Sequence, residues 1–425
     1  METERPFLTT PPHPSVEAII VIPVRDEAAR LNFTLDALAA QVDLAGWPVN
    51  QSRWETILLA NNCTDESAAM ARAWAAQHPA VTLHVVERVL PPELAHVGWA
   101  RRLLMDEAEH RLTGLGRERG VIASTDGDTR AAPTWFATTL AEVQRGADAV
   151  GGRILADRGI DDDPSPAPGR RYHLHDTAYQ LLAAAWEDAI DPDPADPWPR
   201  HHQLFGASLA VTAAAYLLAG RLPPEPALED MAFGRALRRV DARVRHSPLV
   251  QVATSARPVG RAAVGLATQL AEWDAMAHAG APALVESAAA LTTRVRARRE
   301  LRTCWWSARA GRGIPPAVID ELAAVLAIEN GWLAAALAHA GVTGAPFGTL
   351  LERVETRQVA EGRWVSTWPP VDVVRAIADL RAALGDRRRS AISSGGVSAY
   401  SRALEEVQPV PLLPPSRQVA QFGDD

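Results

Sequence analysis

Ala18-Ile19-Ile20-Val21-Ile22-Pro23-Val24-Arg25-Asp26-Glu27 opens the patterned part of the chain. Its first five residues are apolar and mostly β-branched, which describes a strand buried on both faces, as in a parallel sheet. Pro23 ends the run and charged residues follow at once, in a place where acids also suit a helix start. The pattern then repeats. A helix is expected over 26–41, with Leu31, Leu35 and Leu38 at helical spacing. Residues 56–59 read as a second strand, 66–77 as a helix, 81–86 as a third strand and 99–111 as a helix. Residues 120–124 read as a fourth strand, and Pro133 opens another helix at the position proline favours. Alternation with short connections predicts an α/β domain with a mainly parallel sheet. Ligands of such sheets bind outside the carboxyl ends of the strands.

Three of these ends are polar. The fourth strand runs into Ser124-Thr125-Asp126-Gly127-Asp128-Thr129. Two carboxylates one residue apart can take a hard divalent cation that keeps its waters and shares substrate phosphates. The intervening glycine lets the backbone approach closely. Alone, this triplet is as readily a surface turn. The second strand runs into Asn61-Asn62-Cys63-Thr64-Asp65, whose amides could read a base edge. The same residues also suit an Asx turn capped by Thr64 or Asp65. The first strand ends at Pro23-Val24-Arg25-Asp26-Glu27. Far downstream, Glu229-Asp230 opens a helix after the Pro-rich stretch 222–226, a favourable place for acids beside a helix dipole.

The chain has 425 residues, 47% hydrophobic, with a formal charge of −8. Its length predicts two or three units, and its charge gives no support to nucleic-acid binding. Cys63 and Cys304 form no metal spacing, so a reducing, cytoplasmic setting without disulfides is expected. The longest apolar stretch, 206–220, is short of a membrane span; peripheral contact stays open. The organisation read from the chain is a flexible lead over 1–16, an α/β domain over 17–255, a helical region over 256–385 and a disordered tail over 386–425.

Taken together, residues 21–27, Asn61-Asn62-Cys63-Thr64-Asp65, Gly98-Trp99-Ala100-Arg101, Asp126-Gly127-Asp128 and Leu228-Glu229-Asp230 resemble, in order and spacing, the family 2 glycosyltransferases with the GT-A fold. The resemblance covers 17–255. It implies a Rossmann-like mixed sheet and inverting transfer from a UDP- or GDP-linked sugar to a hydroxyl acceptor, aided by Mn²⁺ or Mg²⁺. Pro23, Val24, Arg25 and Glu27 would line the nucleoside pocket. Asn62 stands where the family commonly has a base-reading Asp. Arg101 would approach the diphosphate, since a guanidinium can hold two oxygens at once. Asp126 would be shared between ribose and metal, and Asp128 would be the direct ligand. Asp230 would be the general base, with Glu229 orienting the acceptor. Gly206-Ala207-Ser208 would let backbone approach a sugar. His246 could be an extra metal ligand or a structural residue. His173, His175, His201 and His202 show no zinc spacing and fit the variable acceptor segment. Trp198 and Phe205 could stack on an acceptor, and Trp186 suits core packing.

Two other readings compete. A sugar-phosphate nucleotidyltransferase would want a Gly-rich basic loop after the first strand, and none is there. An inactive nucleotide-sugar-binding scaffold draws support only from Asn61-Asn62. A dinucleotide dehydrogenase is excluded by the lack of Gly-x-Gly-x-x-Gly after a strand.

Overall fold

A computed structural model describes residues 7–157, 168–257, 260 and 264–393. Its main sheet is built from β1 (Ala18–Val24), β2 (Trp54–Asn61), β3 (Leu83–Arg88), β4 (Val121–Ser124), β5 (Thr129–Ala131), β6 (Ala149–Asp157), β7 (Leu209–Thr212) and β8 (Val244–Ser255). The strand order is β3-β2-β1-β4-β7-β6-β8-β5. The first four are parallel, as the repeated apolar runs predict. Beyond them β7 runs antiparallel to both β4 and β6, and β5 antiparallel to β8, so the sheet is mixed.

Helices α1 (Leu31–Ala39), α2 (Ser67–Gln77), α3 (Val97–Gly114), α4 (Trp135–Gln144), α5 (Arg170–Ile190), α6 (Ala213–Leu218) and α7 (Glu229–Arg239) belong to the same stretch of chain. Successive strand residues face opposite ways. Accordingly Ala18, Ile20, Ile22 and Val24 meet Leu31, Leu35, Trp74 and Trp135 on one face. Ile19 and Val21 meet Leu104, Leu112, Tyr216 and Phe233 on the other. Each face is a buried apolar core.

The C-terminal part is helical, as expected: α8 (Leu266–Ala279), α9 (Ala288–Arg309), α10 (Pro316–Leu326), α11 (Asn330–Thr343), α12 (Phe347–Glu361), α13 (Arg363–Thr367) and α14 (Val373–Ser393), with a small hairpin of β9 (Leu284–Val285) and β10 (Val371–Asp372). Among the described residues no single helix is long and apolar enough to cross a membrane. Only α10 and α11 together pass on length and composition, and they are bent by 113°. Their apolar residues Leu322, Leu326, Leu333 and Leu337 pack into a core of their own with Leu301 and Trp305.

The boundaries differ from those read in the sequence. Residues 7–16 are tied down: the Phe7 amide donates to Glu107 at 2.9 Å, Arg111 donates to the Thr10 carbonyl at 2.7 Å, and Val16 is buried. Helix α5 lies within 17–255 but packs on the C-terminal helices, its Tyr179, Ala183 and Ile190 against Leu291, Val295 and Leu380. Trp186 joins that packing and donates to Thr292 at 2.8 Å. Residues 386–393, assigned to the tail, continue α14; residues 394–425 lie outside the described residues. The first helix begins at Leu31 rather than 26, because Asp26 takes φ 54° and starts a turn.

Candidate active site

The carboxyl ends of β1, β2 and β4 lie side by side, since Val24 pairs with Ala60 and Val21 with Ser124. The turn after β4 is pressed against the end of β1. A side chain at Gly127 would come within 3.1 Å of Val24 and 3.4 Å of Glu27, and Thr34 donates to the Gly127 carbonyl at 3.0 Å. A Cβ there would make both neighbours give by a few tenths of an ångström, so the turn carrying Asp126 and Asp128 packs tightly on Glu27.

Asp128 is flanked by β8 and by the residues after it. Thr254 Oγ1 lies 3.4 Å from its Oδ1, and Arg257 contacts its Oδ2 at 3.1 Å. Arg257 also grips Glu27 with both terminal nitrogens, at 2.9 and 2.6 Å. Burial pushes the Asp128 carboxyl up to about 7, and the Glu27 and Asp126 carboxylates push the same way; Arg257 and Arg30 oppose them. The site thus disfavours an uncompensated charge on Asp128, and the hard oxygen donors of Asp126 and Asp128 fit a divalent cation.

Arg101 sits at the centre of the site, on α3. It donates to Asp126 at 3.0 Å, to Glu229 at 3.0 Å, to the Gly206 carbonyl at 3.1 Å and to Ser124. Its side chain is 3% exposed. Burial alone would loosen its proton, but Asp126 and Glu229 more than offset this and hold its pKa above the ordinary value. Gly206 faces the guanidinium so closely that any Cβ would collide with it. Arg101 is therefore placed as a brace between two acids rather than as an open phosphate ligand, which differs from the sequence expectation. Most of its N–H groups are already used.

Helix α7 begins at Glu229 because Leu228, in a left-handed conformation (φ 57°), turns the chain into it. Glu229 points inward to Arg101. Burial raises its pKa, Arg101 lowers it and Asp230 adds to the rise, leaving it above the usual carboxylate range. Asp230 points to the half-exposed side. Its Oδ2 accepts from the Gly206 amide at 2.9 Å and its Oδ1 from the Met231 amide at 2.7 Å. The two acids therefore split: one holds Arg101, the other stays open to the site.

The nucleoside-side residues are placed less uniformly. Pro23 and Val24 are buried within β1, so only their backbone can face a ligand. Arg25 is exposed and donates to the Ala95 carbonyl at 2.9 Å. Asn62 departs from its expected role. It adopts φ 52°, and its amide turns back onto Leu90, donating to that carbonyl at 2.9 Å and accepting from that N–H at 3.0 Å. The amide extends the β2–β3 ladder. Asp26 accepts from the Thr64 and Asp65 amides at 2.6 and 3.3 Å, tying the turn after β1 to the turn after β2. Asp26 and Asn62 take positive φ values, so backbone strain gathers at the ends of β1 and β2.

A second polar cluster lies at the β6–β8 pair. His246 donates through Nδ1 to the Asp196 carboxylate at 2.8 Å, and that carboxylate also accepts from Arg245 at 3.1 Å. His201 is buried beside His246, and burial together with the His246 charge drives its pKa down to about 3. His246 is thus held by protein, and no Asp128–His246 contact exists among the described residues. Of the site, sequence reasoning missed Arg257 and Thr254. The polar run Thr254-Ser255-Ala256-Arg257 just past β8 was the available signal, since it too is a strand end.

These features define an α/β domain with an acidic, arginine-braced site at its strand ends. Residues 19–188 match the model of Glycosyl transferase family 2. Over that stretch the chain is similar to the family, and the mixed sheet of the domain agrees with the architecture that the resemblance implies. It is similar in structure to the mannosyltransferase PcManGT of Pyrobaculum calidifontis in complex with GDP-Man and Mn²⁺, with 18% identity over 89% of each chain and a TM-score of 0.36. TarS 1-349 of S. aureus in complex with UDP is also similar, with 12% identity, 77% of this chain and 92% of that one covered, and a TM-score of 0.40. So is glucosyl-3-phosphoglycerate synthase of Mycobacterium tuberculosis in complex with UDP, at 16% identity, 63% and 82% coverage, and a TM-score of 0.32. No curated protein matches the sequence.

Proposed function

We propose that the protein transfers a sugar, with inversion, from a UDP- or GDP-linked donor to a hydroxyl acceptor, and that it needs a divalent cation to do so. One observation carries this reading: Arg101 joins Asp126, on the donor side, to Glu229, beside Asp230, through a single buried guanidinium. The donor and acceptor acids are thereby held in one fixed frame, as a direct displacement requires.

Asp128 would hold the cation, Mn²⁺ or Mg²⁺, with Asp126 offering the carboxylate oxygen that Arg101 leaves open. Such a cation, when bound, screens the charge that builds on the departing diphosphate. Asp230 would take the proton from the attacking hydroxyl. Its oxygens each accept one amide and keep a lone pair, so the carboxylate is fixed in direction without being consumed. Glu229 keeps Arg101 charged and in place, and thereby orients Asp126. Its own link to the acceptor is indirect. The acceptor would enter over Gly206, Asp230 and the segment bearing Trp198 and Phe205. The setting follows the sequence reading, a cytoplasmic enzyme, and the acceptor is taken only as a hydroxyl compound.

The test is a pair of substitutions. Asp128→Ala should abolish metal-dependent donor hydrolysis and transfer. Asp230→Asn should keep donor binding and lose about 10²-fold or more in kcat, as removal of a general base does. Full activity of Asp128→Ala, or of the native enzyme in chelator, would sink the metal role. Loss of UDP and GDP binding in Asp230→Asn would sink the base assignment.

A further inference from the structure

We infer that Arg257 is a resident counter-cation of the donor site: it neutralises Glu27 and Asp128 in the donor-free enzyme and moves to the donor diphosphate when a divalent cation takes Asp128. The inference rests on the donor-site reading given above. Its basis is the geometry of two arginines. Arg101 is locked by Asp126, Glu229, Ser124 and Gly206, and is 3% exposed. Arg257 is 17% exposed and lies between the two acids that border the donor site, with Glu27 7% and Asp128 13% exposed. One of its terminal nitrogens is shared between Glu27 at 2.6 Å and Asp128 at 3.1 Å.

A guanidinium and a divalent cation on the same carboxylate oxygen repel each other in a site shielded from water. Asp128 Oδ2 therefore cannot serve both at full strength. The incoming group is not a bare cation, however. A sugar-linked nucleoside diphosphate brings as much negative charge as the cation offsets, the departing nucleoside diphosphate brings more, and the oxygens of both suit the forked donors of an arginine. The displaced side chain thus has a partner within the same site. Its position favours the exchange: Arg257 follows the last residue of β8 by two, and Ala256 between them is buried, so the backbone is anchored beside Glu27 and Asp128. Until the donor arrives, the same arginine offsets repulsion among Glu27, Asp126 and Asp128.

The two roles predict effects of opposite sign, which a merely structural residue would not produce. Calorimetric titration of Mn²⁺ alone should give about tenfold tighter binding to Arg257→Ala than to the native protein, the usual scale for one opposite charge at contact distance. Titration of UDP and GDP in saturating Mn²⁺ should give about tenfold weaker binding of whichever nucleotide the native protein takes, by the same scale. Arg257→Lys, which keeps the charge and loses the fork, should fall between on both. A thermal melt of each variant reports folding. If both affinities drop together, or neither moves while the native protein binds Mn²⁺ and nucleotide, the inference fails and the donor-site reading stands. If native, Arg257→Ala and Asp128→Ala proteins all ignore Mn²⁺, the donor-site reading fails and takes the inference with it.

Discussion

Asp128 holds its proton up to about pH 7, because burial and the neighbouring Glu27 and Asp126 all disfavour its charge. The sign of the consequence follows from linkage. The folded pKa lies above the ordinary value of 3.8, so the native state binds the proton more tightly than the unfolded chain. The stability this gives is fully present below about pH 4 and is lost as pH rises to about 7. The metal-free protein should therefore gain melting temperature at pH 8 on Asp128→Asn, by about 2 °C or more. Mn²⁺ should raise the melting temperature of the native protein more at pH 8 than at pH 6, because a cation competes with that proton. A metal-free Asp128→Asn variant that melts lower than native at pH 8 would contradict this account of its surroundings. Gly206 offers a second residue-scale test. Its Cβ would enter the Arg101 guanidinium, so Gly206→Ala should cost about 1–3 kcal/mol of stability, the range for overpacking, and should depress transfer. An alanine variant with native melting and native turnover would show that Arg101 is not the brace described.

Helix α7 is held at both ends. Its first turn supplies Glu229 and Asp230, and its last turn is clamped by α12. Arg238 forks onto Glu355 at 3.0 and 2.6 Å, Arg239 meets Glu352 at 3.0 Å, and Asp241 accepts the Phe347 and Gly348 amides at 2.8 and 2.7 Å. The ion pairs are part-exposed and worth little each. Asp241 caps α12 from outside, and Asp241→Ala should cost about 1 kcal/mol, as lost caps do. Gly348 packs directly on the Arg238 carbonyl, with no room for a Cβ. Gly348→Ala should thus loosen α7 and lower kcat while nucleotide affinity stays within about twofold; equal loss of both would refute a role confined to the acceptor side. Legibility from sequence also divides by element. β1, β2 and β4 were readable because each is an unbroken apolar run between polar ends. β5 and β7 have only three and four residues, and β6 opens on Ala149-Val150-Gly151-Gly152, too short or too glycine-rich to show a period. Asn62 was misread because pairing with Leu90 depends on a positive φ that no local pattern announces. Arg257 was missed because its role arises from a contact 230 residues away in sequence, across the assigned domain boundary.

At the scale of the whole molecule, the sheet and the C-terminal helices do not separate at residue 255. Arg257 pairs with Glu27 and Asp128 at the strand ends, and α5 lends Tyr179, Ala183 and Ile190 to the helical core. A chain cut after 255 would therefore lose the Glu27–Arg257 pair and expose the apolar face of α5. It should be insoluble or bind a dye for exposed apolar surface; a soluble, cooperatively melting 1–255 fragment would contradict this packing. The central claim, that a nucleoside diphosphate and a divalent cation meet at Asp126-Gly127-Asp128, is tested most directly by a thermal-shift panel of UDP, GDP, CDP and dTDP with and without Mn²⁺. The account predicts that UDP or GDP alone among the four raises the melting temperature, that it does so only with Mn²⁺, and that Asp128→Ala abolishes the rise, since a ligand that binds only the native state stabilises it. A shift that ignores Mn²⁺ and survives Asp128→Ala, or no shift with any nucleotide, would contradict it.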